Sequence, residues 1–391
     1  MQIVKFDINN LVNYYITQFK GGNIMVNISK NIILTDLNKD ELLNVFIKIN
    51  QMPLVFRKKL NLSPDISFGN EIEFNDLILK DAKVLVNDFN TKNGLDNKDS
   101  YKLHVEKTAE GEIVTPIHTD TEKDWELFRG IYDALKNTGA TIAGNTASHI
   151  HIGTHMIDTP EKLSLLLKTL VVFEPIIFKF GYGYDEEPRE YLRAVPNRCA
   201  FSIMMTPKRV KNFIEALDKY NYNSPGEMNK CFKDFLAMEL AYRPVFNFNG
   251  FDFNKLQYRL GTDEPSEYDH MEVRCFNGTL NEEIAQNNIN LISHIFMAVI
   301  EGKLDIKYIN EEYAKYAKKK YSFNSKYALF EEEKEIPQYN RLLDGFNKIK
   351  MEKALKLADM IFDNELDKYY FLKQYLKLFY KDEEYIFYLV K

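Results

Sequence analysis

The sequence predicts an α+β fold, and three observations lead to it. Short alternating segments lie close enough along the chain to pair as antiparallel strands. Amphipathic helical stretches separate them. The Gly-rich first turn of a doubly wound parallel sheet is missing, with neither GxxxxGK[ST] nor GxGxxG in the chain.

The elements follow in order. Asn38 followed by Glu41 is a capping box that opens the helix ELLNVFIKI, and Asn61-Leu62-Ser63-Pro64-Asp65 then breaks the chain. ISFGNEIEF alternates with period two and reads as a strand, as do YKLHVEK and GEIVTP. Trp125, Phe128, Tyr132 and Leu135 share one helical face, and Asn137-Thr138-Gly139 ends that helix. SHIHIG is a strand. Thr159-Pro160 starts a helix striped by Leu163, Leu166, Leu167 and Leu170. Helices are expected near 207–221 and 226–240, then strands at VFNFN, LQYRL and HMEVRCF. A helix from Asn281 turns Ile292, Ile295, Phe296 and Val299 to the core. Residues 1–62 read as a mixed N-terminal extension, 63–302 as the catalytic unit and 303–391 as a Lys/Glu/Tyr-rich helical extension.

Composition excludes several classes. At 45% hydrophobic and 28% charged, the 391-residue chain has the make-up of a globular protein. Its net charge of −6 is not the basic balance of a nucleic-acid binder. No apolar run reaches the length of a membrane span, and the N-terminus lacks a signal-peptide core. Cys199, Cys231 and Cys275 are far apart and odd in number, which suggests reduced thiols and a cytoplasmic location. The Asn, Lys, Ile and Tyr bias is that of an AT-rich bacterial or phage coding sequence. The apolar Tyr-rich C-terminal helices are expected to pack on the catalytic unit or on a second subunit.

Three strands share an unusual pattern. Glu71 and Glu73, His149 and His151, and Glu272 and Arg274 each occupy positions i and i+2. Strand side chains alternate faces, so each pair points one way while Ile72, Phe74, Ile150, Ile152, Val273 and Cys275 point the other. Taken singly, such pairs are usually solvated sheet faces or surface ion pairs. Gathered on one sheet they crowd carboxylates, which a divalent cation relieves. Carboxylate oxygens suit Mg²⁺ or Mn²⁺, and a guanidinium suits phosphate. Metals and arginine together point to phosphoryl transfer from a nucleotide. His155 and His294 read as surface or core histidines rather than ligands.

The order GNEIEF, YKLHVEKTAEGEIVTP, SHIHIG and HMEVRCFNGTLN resembles the amidoligase family, over roughly residues 66–302. The resemblance implies a glutamine synthetase-like fold, a curved and mainly antiparallel sheet with helices on its outer face. It implies metal ligation by Glu71, Glu73, Glu106, Glu112, His149 and Glu272, and nucleotide phosphate binding by His151. It makes Arg274 and Glu112 the candidate catalytic residues, with Arg274 on the transferring phosphate. Three places depart from the family pattern, one of them Thr146-Ala147 where the family has Cys-Gly before the histidines. Glu106 and Thr108 stand where the family has Asp and Ser. The nucleotide-side arginine is open among Arg243, Arg193 and Arg189, because the family's Arg-Tyr order is reversed at Tyr242-Arg243.

The expected activity is ATP- and Mg²⁺-dependent (or Mn²⁺-dependent) joining of a carboxylate to an amine through an acyl phosphate, by a homo-oligomer or a monomer. The substrates could be an amino acid, a peptide or a protein side chain. Other readings are a glutamate–cysteine-ligase-like small-molecule enzyme, a silent interaction scaffold on the same fold, and a metal-dependent hydrolase that needs no nucleotide.

Overall fold

A computed structural model describes residues 32–107, 109–142, 146–181, 207–220, 230–235, 245–256, 269–318 and 351–378. It is an α+β structure. Its helices are α1 (Lys39–Gln51), α2 (Leu79–Asn93), α3 (Glu122–Asn137), α4 (Pro160–Gly181), α5 (Pro207–Asp218), α6 (Glu282–Ile300), α7 (Ile306–Lys318), α8 (Met351–Ile361) and α9 (Glu365–Tyr375). The strands are β1 (Phe68–Phe74), β2 (Lys102–His104), β3 (Gly111–Val114), β4 (Ala147–Gly153), β5 (Phe246–Asn247) and β6 (His270–Asn277). They form one antiparallel six-stranded sheet in the order β2-β3-β1-β4-β6-β5.

Local chemistry accounts for the elements. The capping box is present: Asn38 Oδ1 accepts from the amides of Asp40 and Glu41, and Glu41 Oε2 accepts from the amide of Asn38. Thr121 caps α3 by accepting from the amide of Asp124. That helix buries Trp125, Phe128, Ile131, Tyr132 and Leu135 along one side. Leu256, the first residue of the expected strand LQYRL, ends a 3₁₀ turn, Phe253–Leu256, and the rest of LQYRL lies outside the described residues.

Helices α3, α4 and α6 cover one face of the sheet. Phe68 stacks on Trp125 at 4.7 Å, and Asn70 Nδ2 donates to Tyr132 Oη at 2.7 Å. Helix α4 lies against β6, and α6 lies against β4. Ile72, Ile113, Ile150, Ile152 and Val273 are buried on this side. The alternation then leaves Glu71, Glu73, Glu112, His149, His151 and Glu272 on the opposite face.

One irregularity reshapes β6. Ile150 pairs with Val273, but Ser148 pairs with Phe276, so Arg274 and Cys275 together face His149. This is a β-bulge, and it restores Phe276 to the helix-covered side. Strict alternation would have placed Phe276 among the polar residues. Its ring packs instead on the end of α4, where any side chain at Gly181 would strike it, 2.7 Å from a ring carbon.

Helices α8 and α9 pack on α1, α4 and α6, as expected for apolar C-terminal helices. Phe371 is fully buried and stacks on Phe180 of α4. The contact also carries a buried polar network. Arg57 reaches the Asp367 carboxylate at 2.6 Å, and Asn290 Nδ2 donates to the same carboxylate at 2.8 Å. Gln374 links Asn287 to Asn288. His294 is a core histidine, its Nδ1 3.0 Å from the carbonyl of Asn290. Among the described residues, no helix is long and apolar enough to cross a membrane.

Candidate active site

Strand register brings the polar pairs into cross-strand rows. Glu71 faces His149, Glu73 faces Glu112, and His151 faces Glu272. Directly opposed residues have touching side chains, so four strands contribute to one cluster. Two rows extend further: His104 of β2 faces Glu112, and Asn247 of β5 faces Glu272.

His149 is the hub. Its Nδ1 lies 2.5 Å from Glu71 and 3.4 Å from Glu272, and its Nε2 lies 3.9 Å from Glu73. His151 Nε2 lies 3.0 Å from the other oxygen of Glu71. Glu272 also bonds Arg274 and accepts from Asn247 Nδ2 at 2.7 Å. Glu73 accepts from the amide of Ala147 at 2.6 Å.

Glu73, Glu112, His149 and Glu272 are each no more than 6% exposed. Their electrostatics are strained. Burial alone would raise Glu71, but the hydrogen bonds from His149 and His151 outweigh it and hold its carboxyl well below the usual range. Glu112 stands 3.7 Å from the histidine opposite it, His104, beyond hydrogen-bond reach. Burial, then repulsion from Glu71, Glu73, Glu106 and Glu272, pushes it up to about 8. Burial would lower His151, but its bond to Glu71 raises it on balance, which favours the imidazolium.

The donor set fits a divalent cation. Glu71, His149 and Glu272 each offer one ligand atom, and these atoms lie within 4.8 Å of one another; so do those of Glu73, Glu112 and His149. Carboxylate oxygens are hard ligands of the kind that suits such a cation. A proton stands in for that cation at Glu112, which leads to a pH dependence. Below about pH 8, Mg²⁺ must displace this proton, so its affinity should climb with pH and level off above that value. Calorimetry at pH 7 in buffers of different ionisation enthalpy should show proton release on binding. A pH-independent affinity with no release would contradict the shared site.

The other expected residues divide. Glu106 belongs to neither trio, although its charge acts on Glu112; its Oε1 accepts from the amide of Lys107. Arg274 sits on the site face, bound to Glu272. Arg189, Arg193 and Arg243 lie outside the described residues. Asn247, His104 and His270 were missed. His270 carries the signal already in use, standing two residues before Glu272 on the same strand. Asn247 and His104 became visible only through pairing.

A family model described as "Putative amidoligase enzyme" matches residues 79–296. The chain belongs to the amidoligase family. No curated protein and no solved structure matches it. The match to this amidoligase takes in the Glu112, His149, His151, Glu272 and Arg274 positions, while β1 with Glu71 and Glu73 precedes it. The pairing of β1 between β3 and β4 puts those two carboxylates in the middle of the same cluster.

Proposed function

We propose that this amidoligase is an ATP-dependent carboxylate–amine ligase on a glutamine synthetase-like sheet, acting through an acyl phosphate. The observation that carries the reading is the single cluster of Glu71, Glu73, Glu112 and Glu272 around His149, with Arg274 bonded to its edge. A hydrolase could use a His–carboxylate cation site alone. The arginine two residues from a ligand adds a group suited to a phosphoryl oxygen.

A carboxylate is a poor electrophile at neutral pH, so it needs a leaving group. In the proposed reaction a substrate carboxylate oxygen attacks the γ-phosphorus of ATP and ADP departs. The amine then attacks the acyl carbon, the C–O bond to phosphate breaks, and the amine gives up a proton. Mg²⁺ or Mn²⁺, when held by the Glu71–His149–Glu272 and Glu73–Glu112–His149 groups, would neutralise charge on the phosphates.

The chain's own residues do the rest. His149 Nδ1 and Glu71 stand 2.5 Å apart, so the two donors are already brought together before a cation enters. Asn247 holds one oxygen of Glu272 and leaves the other to Arg274. Arg274, on the site face and bound to Glu272, would set its guanidinium against the transferring phosphoryl oxygens. His151, on the same face and bonded through Nε2 to Glu71, would donate from its ring to the nucleotide phosphates. The low exposure of the carboxylates limits water, which would otherwise hydrolyse the acyl phosphate.

Hydroxylamine tests this without the natural amine. It intercepts acyl phosphates as stable hydroxamates. With a pool of carboxylates that includes glutamate, aspartate and short glutamyl peptides, hydroxamate should form only with ATP and Mg²⁺, match phosphate release, and vanish in Arg274→Ala. Hydroxamate formed at the same rate without ATP would indicate a hydrolase and end the ligase reading. None under any condition would favour a scaffold.

A further inference from the structure

We infer that His270, seated on Gly250, joins His151 in contacting the phosphate chain of the bound nucleotide. This inference rests on the nucleotide-dependent reading above, and it assigns a binding residue and a positioning glycine to that site.

The geometry begins with register. His270 pairs with Gly153, two residues beyond the His151–Glu272 pair, so it shares the site face. Gly153 brings no side chain to that row. The His270 ring lies 4.9 Å from the His151 ring, centroid to centroid, and is half-buried.

The His270 position is built rather than incidental. Its amide donates to the carbonyl of Gly250 at 3.0 Å. A Cβ at position 250 would fall 2.4 to 2.7 Å from three atoms of the imidazole, so the ring rests directly on the Gly250 backbone. Only glycine allows that approach. The preceding residue is locked as well. The buried Asp269 carboxylate accepts from Thr154 Oγ1, the amide of Asp252 and Lys255 Nζ, and its carbonyl accepts from the amide of Thr154.

Charge gives the chemistry. The site face carries both signs. Glu73 and Glu112 of one cation group lie toward β3, and Glu272 of the other stands between His270 and Arg274 on β6. The groups able to donate to an anion, His151, Arg274 and His270, lie on β4 and β6. The polyanion that the reaction requires is the phosphate chain of ATP, and two neighbouring imidazoles on the same strand pair as a guanidinium suit it. The adenosine end carries no charge to be read by this pair.

Equilibrium binding tests the inference, with the full chain in Mg²⁺ and a non-hydrolysable ATP analogue or adenosine as probes. His270→Ala should weaken the ATP analogue about tenfold and leave adenosine unchanged. Gly250→Ala removes no functional group, yet it should weaken the analogue similarly by displacing the ring. In the wild type, ¹⁵N-labelled histidine resonances of His270 should shift with the analogue and not with adenosine, a readout that needs no folded variant. Unchanged analogue affinity in His270→Ala, equal losses for analogue and adenosine, or an unmoved His270 resonance would each overturn the inference while leaving the ligase reading in place. A wild type that binds no ATP analogue at all would overturn both.

Discussion

Glu272→Gln should lower Mg²⁺-dependent ATP turnover by about a thousandfold or more, with the fold intact. The change keeps the size of the side chain and its bond from Asn247, and it removes a single negative charge. That charge serves three partners. It closes the Glu71–His149–Glu272 trio, it holds Arg274, and its neighbour across the strands is His151. Loss of a cation ligand, together with a released arginine, removes several kcal/mol of charge stabilisation from phosphoryl transfer, and about 1.4 kcal/mol is tenfold in rate. Steady-state ATPase assays with the carboxylate pool, alongside thermal melts, check it. Equal turnover in variant and wild type would remove Glu272 from the site.

The second large effect concerns stability. Arg57→Met should destabilise the protein by roughly 3–5 kcal/mol, because it leaves Asp367 buried without its cation. Burial alone would raise the Asp367 carboxyl; Arg57, then His294, outweigh it and hold the group below its ordinary value. A depressed carboxylate adds stability above its unfolded pKa and loses it as pH falls through the folded one. The gap between Arg57→Met and wild type should therefore shrink on acidification. Urea unfolding at neutral and acidic pH measures both. A variant as stable as wild type at neutral pH would show that this contact does not fasten α9 to the segment that follows α1.

The polar face of the sheet was legible in the sequence because strand alternation is local. Glu71-x-Glu73, His149-x-His151 and Glu272-x-Arg274 declare their faces without any knowledge of their neighbours. Pairing is not local. Nothing within VFNFN says that Asn247 will lie opposite Glu272, and nothing near Lys102 places His104 beside Glu112. The bulge at Arg274-Cys275 was also hidden, since a strict period of two puts Phe276 on the wrong face. The Arg57–Asp367 pair joins residues more than 300 positions apart, beyond the reach of any sequence spacing. Helix caps were the opposite case. Asn38 and Glu41 satisfy each other within one turn, so the sequence pattern was sufficient.

The path of one oxygen atom tests the central claim most directly. A carboxylate that yields hydroxamate should be supplied with ¹⁸O in its carboxyl group, together with ATP, Mg²⁺ and an amine. If the carboxylate attacks the γ-phosphorus and the amine then displaces phosphate, one labelled oxygen must leave with each phosphate released. Mass spectrometry of the inorganic phosphate should show one ¹⁸O per turnover in the wild type, and no product in Glu272→Gln or Arg274→Ala. Unlabelled phosphate accompanying amide formation would contradict the acyl-phosphate route on this sheet.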